Sequence, residues 1–187
     1  MDTYRCFIAI DLPEQLKDIL ADVQQRLSGW PASVKWVERR NLHLTLKFLG
    51  DTSELQIASL KKSLATLCEK HQKFEISVRG LGAFPTVKSP KVIWSGVEDP
   101  QKQLQTLWTG IEAEAVKLGF PAETRPFSPH LTLGRVKESR PVPGFADTLR
   151  SLELVETKIP VTEVRLMKSL LFGQGPEYSS LGVFAMQ

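Results

Sequence analysis

One tetrapeptide occurs twice in this chain and constrains its fold more than any other feature. His43-Leu44-Thr45-Leu46 returns unchanged as His130-Leu131-Thr132-Leu133, 87 positions further on. Side chains on a strand alternate between its faces, so each copy puts its leucines on one face and its histidine and threonine on the other. That is a half-buried strand showing an imidazole and, one pleat along, a hydroxyl. Continued alternation places Lys47 with His43 and Thr45, and places Phe48 with Leu42, Leu44 and Leu46 on the core face. Burial alone explains a repeated Leu-x-Leu pattern. It does not explain why His and Thr recur at the same offsets in a chain with only three histidines. An internal duplication does. If each half contributes a sheet, the two polar faces line one groove and the two imidazoles converge across it.

The rest of the chain supplies elements for such halves. Tyr4–Asp11 reads as a buried strand, and Pro13 opens a helix with Leu16, Ile19, Leu20, Val23 and Leu27 at helical spacing, ended by Ser28-Gly29. Val34–Val37 is a short strand, and Leu42–Leu49 a longer one closed by Gly50-Asp51. A second helix begins near Ser53, where Ser53 and Gln56 have capping-box spacing, and carries Leu60, Leu64, Leu67 and Cys68. Strands follow at Phe74–Arg79 and Val92–Val97, joined by a loop with Pro85, Ser89 and Pro90. Pro100 marks a third helix with Leu104, Leu107, Trp108, Ile111, Ala115 and Leu118 on one face, capped by Gly119. His130–Val136 is a strand. A Pro-rich stretch over 140–144 leads into a short helix at Phe145–Leu152. Ile159–Val161, Val164–Ser169 and Tyr178–Phe184 close the chain, the last two joined by the turn Gly173-Gln174-Gly175-Pro176. Helices mixed with hairpin-joined strands indicate an α+β fold with antiparallel sheets. No linker divides the chain, so residues 1–187 are expected to form one domain.

Composition narrows the setting. A length of 187 residues with 42% hydrophobic content suffices for a core without disulfides or metals. Cys6 and Cys68 have no redox or ligand spacing and read as buried thiols, which suits a reducing cytoplasm. The first residues lack a basic segment and a long apolar run, and no apolar stretch is long enough to span a bilayer. A soluble, cytoplasmic protein is expected. The net charge of +3 is compatible with a polyanionic partner but does not require one.

Two imidazoles facing one another suit concerted acid–base work, because histidine titrates near neutrality. Hydroxyls beside them can donate hydrogen bonds to phosphate oxygens, as can arginines. This set fits phosphodiester chemistry without a metal. A zinc site needs three or four ligands, and neither clustered cysteines, a His-x-x-x-His pair nor a carboxylate within either tetrapeptide supplies them. A P-loop, a dinucleotide-binding glycine pattern and a nucleophile elbow are also missing, so no cofactor is expected. His71 reads as a solvated residue after a helix.

At these residues the chain resembles the two-histidine (2H) phosphoesterases, defined by two His-x-Thr/Ser-x motifs with apolar x. More narrowly, it is similar to the RNA 2′,3′-cyclic phosphodiesterases, also called 2′-5′ RNA ligases. The likeness includes the opening run Phe7 to Pro13, the block Asn41 to Gly50, the block Arg125 to Arg135, and the stretch from Ser169 to Tyr178. It implies a bilobal fold in which two pseudo-symmetric antiparallel sheets line a central cleft, with helices on the outer faces and both termini in one lobe. It implies hydrolysis of terminal 2′,3′-cyclic phosphates on RNA or nucleotides to 2′-phosphates, with 2′-5′ ligation as the reverse. His43 corresponds to the proton donor and His130 to the proton acceptor, while Thr45, Thr132 and Arg135 hold the phosphate. Phe48 and Tyr178 are aromatic candidates for stacking on a base, although alternation sets Phe48 toward the core. Lys35, Arg39, Arg40, Lys47, Arg125, Lys137 and Arg140 are candidates for a basic rim that draws RNA in. A monomer is expected. Alternative readings are a relative acting on ADP-ribose cyclic phosphate or 2′,5′-oligoadenylate, and a non-catalytic RNA-end binding protein.

Overall fold

The apolar run Phe7-Ile8-Ala9-Ile10 forms the middle of strand β1 (Thr3–Asp11), the centre of one half of the sheet. The computed structural model describes residues 3–29, 34–137, 144–152, 154–172 and 175–187. In chain order the elements are β1, α1 (Glu14–Leu27), β2 (Val34–Trp36), a 3-10 turn (Arg39–Asn41), β3 (His43–Ser53), α2 (Glu54–Cys68), β4 (Phe74–Thr86) and β5 (Ser89–Glu98). They continue with α3 (Gln103–Lys117), β6 (His130–Val136), α4 (Phe145–Ser151), β7 (Thr157–Val161), β8 (Glu163–Phe172) and β9 (Gly175–Ala185).

Among the described residues nine strands form one sheet in the order β7-β4-β5-β6-β3-β1-β8-β9, with β2 on the edge of β6, and every pairing is antiparallel. The two tetrapeptide strands, β3 and β6, are the inner pair. Outward from them each half adds three antiparallel strands, β5, β4 and β7 beyond β6, and β1, β8 and β9 beyond β3. The two expected sheets are joined at one paired position, Leu44 opposite Leu131. Beyond it β6 parts from β3 and takes β2 instead, with Trp36 opposite Gly134. Gly134 is needed there, since a Cβ would stand 2.7 Å from the Val34 side chain and 2.8 Å from the Trp36 ring.

Helices pack crosswise on the apolar face. The first, α1, lies against β6, while α3 lies against β3 and against α2. Leu16, Leu20, Val23 and Leu27 of α1 are buried, as are Leu104, Leu107, Ile111 and Ala115 of α3. One continuous core joins them to Leu44, Leu46, Leu131 and Leu133. The capping box on α2 forms as expected: Ser53 Oγ accepts from Gln56 N, and Gln56 Oε1 accepts from Ser53 N. Cys6 and Cys68 are buried free thiols, each held above its ordinary pKa by burial. Among the described residues no helix is long and apolar enough to cross a membrane.

Several elements differ from expectation. The stretch with Pro85 and Pro90 is the end of a hairpin, not a loop; the two prolines sit opposite each other where the ladder is already irregular and needs no N–H from them. Helix α3 starts at Gln103 rather than Pro100, because Asp99 accepts from the backbone N–H of Gln103 (3.0 Å) and Gln105 (3.1 Å). Strand β3 continues past Gly50, which takes a positive φ of 71°, to Ser53. The Pro-rich segment and the turn residues Gly173 and Gln174 lie outside the described residues.

Candidate active site

The polar faces of β3 and β6 meet as the tetrapeptide requires. Antiparallel pairing of Leu44 with Leu131 sets His43 across from Thr132 and Thr45 across from His130. All four are half-buried, while the four leucines are at most 4% exposed. The two histidines are thus diagonal neighbours, a relation that separates such positions by about 7–8 Å.

Each imidazole is oriented in the same way. The carbonyl of Asn41 accepts a hydrogen bond from Nδ1 of His43 at 2.7 Å, and the carbonyl of Ser128 accepts one from Nδ1 of His130 at 2.8 Å. A carbonyl can only accept, so Nδ1 carries the proton in both rings and Nε2 is left for chemistry. Nε2 of His43 accepts from Thr45 Oγ1 at 2.9 Å. Burial pushes His43 below the ordinary histidine range; the Asn41 carbonyl and Asp11 oppose that shift, and Lys17 adds to it. Its ring is 4.9 Å from Phe7 and 5.4 Å from Tyr178, edge-on to the latter. The His130 ring is edge-on to Phe84 at 5.1 Å.

Alternation breaks at the same point of both copies. The ladder between β1 and β3 passes from Thr45 to Lys47 and skips Leu46, and that between β5 and β6 passes from Thr132 to Gly134 and skips Leu133. A bulge of one residue reverses the facing of the residues after it. Lys47 and Gly134 therefore turn inward, and Phe48 and Arg135 turn out. Phe48 is 71% exposed, which corrects its expected place on the core face. Lys47, expected on the polar face, is buried against α3. Its Nζ donates to both Glu112 oxygens (2.9 and 2.8 Å) and to the Pro121 carbonyl. The carbonyl freed at the Leu133 bulge accepts from Val37 N–H and from Gln24 Nε2.

Phe48 and Arg135 both line a cavity of about 470 Å³ with Arg5, Phe7, Ser169 and Tyr178. A second cavity of about 310 Å³ shares Phe7 and Tyr178 with the first and is lined also by His43, Asp11, Lys17, Arg40 and Arg165. Burial raises the Tyr178 hydroxyl, partly offset by Arg135 and Arg5. Other expected rim residues lie elsewhere or are engaged. Arg39 is bound by Asp18 and Glu14, both at 2.6 Å, and Arg125 by Glu123. Lys35 pairs across from Arg135, while Arg140 is outside the described residues.

Sequence reasoning missed Phe7, which read as one apolar residue of a buried strand, and Asn41. The Asn41 side chain donates to the Pro176 carbonyl at 3.0 Å. One residue thus holds both the His43 ring and the strand that carries Tyr178. Its position two before the histidine was the available signal, matched by Ser128 before His130. Among the described residues no group of three or more His, Cys, Asp or Glu is placed to hold a metal ion.

Paired imidazoles with matched orientation on the two inner strands of one antiparallel sheet are the arrangement of a two-histidine phosphoesterase. The family model described as LigT like Phosphoesterase matches residues 10–94 and 96–178, one tetrapeptide in each stretch, and the chain belongs to that family. It is 39% identical over 183 residues to the RNA 2′,3′-cyclic phosphodiesterase of Methanothermobacter thermautotrophicus, covering 97% of this chain and 98% of that one. Among solved structures it is similar to TT0787 of Thermus thermophilus, with a TM-score of 0.84 at 30% identity over 97% of each chain. The E. coli LigT complexed with 3′-AMP superposes with a TM-score of 0.77 at 27% identity, covering 100% of this chain and 99% of that one.

Proposed function

We propose that this protein hydrolyses 2′,3′-cyclic phosphate ends of RNA or nucleotides to 2′-phosphomonoesters by acid–base catalysis from His43 and His130. The observation that carries this reading is the matched pair of Nδ1–H donations to Asn41 and Ser128, which leaves two Nε2 atoms on one face at diagonal positions. His130 Nε2 takes a proton from water as its oxygen attacks phosphorus. The bond from phosphorus to the 3′ oxygen breaks, and His43 Nε2 gives that oxygen its proton. Thr45 and Thr132 hold the non-bridging oxygens, and Arg135 supplies the charge that a metal supplies elsewhere. Tyr178 and Phe48 stack on the base in the larger cavity. With the 5′-hydroxyl of another strand in place of water, the same groups form a 2′-5′ linkage.

The equivalent bulges after the two tetrapeptides support residues 1–187 being one domain of two duplicated lobes. Both tetrapeptide strands of the site come from one chain, which accords with a monomer. The two buried free thiols accord with a reducing cytoplasm.

The test is to treat the protein with EDTA, add nucleoside 2′,3′-cyclic monophosphates and then a cyclic-phosphate-ended oligonucleotide, and identify the phosphomonoester formed. The 2′ isomer at undiminished rate is expected. A rate abolished by chelation removes the metal-free mechanism, and tight RNA binding without turnover replaces catalysis by binding.

A further inference from the structure

The second lobe carries aromatic surface beside His130 that hydrolysis of a cyclic end does not use. On the groove face of β5, Trp94 stands opposite Thr132 of β6 and Gly82 of β4. Its indole lies flat on Gly82: a Cβ there would be 2.3 Å from the ring. The indole Nε1 is buried without a hydrogen-bond partner, so packing alone holds the ring down. Phe84 lies 5.1 Å from Trp94 at 34° and 5.1 Å from His130 at 82°, and stays 37% exposed. Val92 links it across the strands to Arg135, with Phe84 opposite Val92 and Val92 opposite Arg135. An exposed phenylalanine seated on a tryptophan, with an arginine in the same row, is a stacking platform of the kind that single-stranded bases occupy.

We infer that Phe84, backed by Trp94, forms a second base-stacking subsite on the His130 side of the phosphate, which takes the nucleoside bearing the 5′-hydroxyl. This rests on the proposed function, in which His130 serves the attacking oxygen. A group that replaces the attacking water must approach from the His130 side, and its own base then falls on the ring nearest that histidine. The base of the cyclic nucleotide occupies the opposite side, near Phe7, Phe48 and Tyr178. A 2′,5′-linked dinucleotide fills both subsites, whereas a 2′-nucleotide fills only the first.

The test measures inhibition of cyclic-nucleotide hydrolysis by 2′,5′-linked ApA and by 2′-AMP on the same protein, and reads the ratio of the two inhibition constants. ApA is expected to bind at least about fivefold more tightly than 2′-AMP, the scale of one base on one aromatic ring. Phe84→Leu should bring the ratio to one, and Phe84→Tyr should keep it. Gly82→Ala, which displaces the indole, should lower the ratio without touching Phe84. Equal constants in the wild type overturn the subsite, and so does a Phe84→Leu protein in which both constants change together, since Phe84 then only orients His130. A wild-type protein that hydrolyses no cyclic nucleotide refutes the proposed function instead. In that case direct calorimetry of ApA against 2′-AMP still decides the subsite.

Discussion

Among the described residues Leu44 faces Leu131 at the one position where β3 and β6 pair. Everything polar in the site is arranged about that pair. Each leucine is fully buried, and on the opposite face each is flanked by the histidine and threonine of its own tetrapeptide. The symmetry of the contact means that whatever orients one imidazole is available to orient the other, and the two carbonyls at Asn41 and Ser128 do so.

Removing either imidazole should stop turnover without unfolding the chain. His43→Ala and His130→Ala are each expected to lower kcat by about 10²–10⁴, the range for a positioned acid or base. The double variant should be little worse than the poorer single one, because the pair acts as a unit. Single-turnover kinetics with circular dichroism on the same samples checks this.

The pH dependence follows from the depressed pKa of His43. As proton donor it must be charged, and burial makes the charged form scarce in the free protein. The alkaline limb of kcat/KM should therefore begin below the ordinary histidine range. A bound phosphate anion favours the charged ring, so the matching limb of kcat should lie at higher pH. Coincident limbs in the two profiles would show that His43 does not meet the phosphate.

The Lys47–Glu112 pair is buried, with side-chain exposures of 5% and 14%. Lys47→Met leaves a carboxylate without its partner and is expected to cost about 3–5 kcal/mol. Changing Glu112→Gln in the same protein should recover part of that loss. Urea unfolding of the wild type and the two variants measures it.

Asn41→Ala removes the hydrogen bond to Pro176 but keeps the backbone carbonyl that orients His43. We expect a loss of about 1–2 kcal/mol in stability and a rise in KM that exceeds the fall in kcat. Arg135→Ala should raise KM about tenfold or more, and the effect should shrink at high salt.

How far the chain could be read from its residues depended on whether alternation held. It held through His43–Thr45 and His130–Thr132, so both histidines and both threonines were legible. It failed one residue later, because a bulge leaves no mark on a pattern of apolar letters. Lys47 was thus expected outside and Phe48 inside, and both are reversed. Arg135 comes after the same bulge; resemblance identified it, while alternation alone would have pointed it at the core. The turn end of the β4–β5 hairpin was hidden by Pro85 and Pro90, which punctuate loops far more often than strand ends. The orientation of each ring depends on a backbone carbonyl two residues upstream, and no side-chain type announces that. The platform of Phe84 and Trp94 was equally silent, since it arises from the register between two strands.

The central claim is that one phosphate meets both imidazoles. The chain has three histidines, so a protein labelled with ¹⁵N at histidine gives few imidazole resonances, and His71, held by the Leu67 carbonyl, serves as the control. In a titration with 2′-AMP the Nε2 signals of His43 and His130 should move together with a single dissociation constant while His71 stays still. A shift at only one of the two, or at each with a different constant, would contradict a shared site.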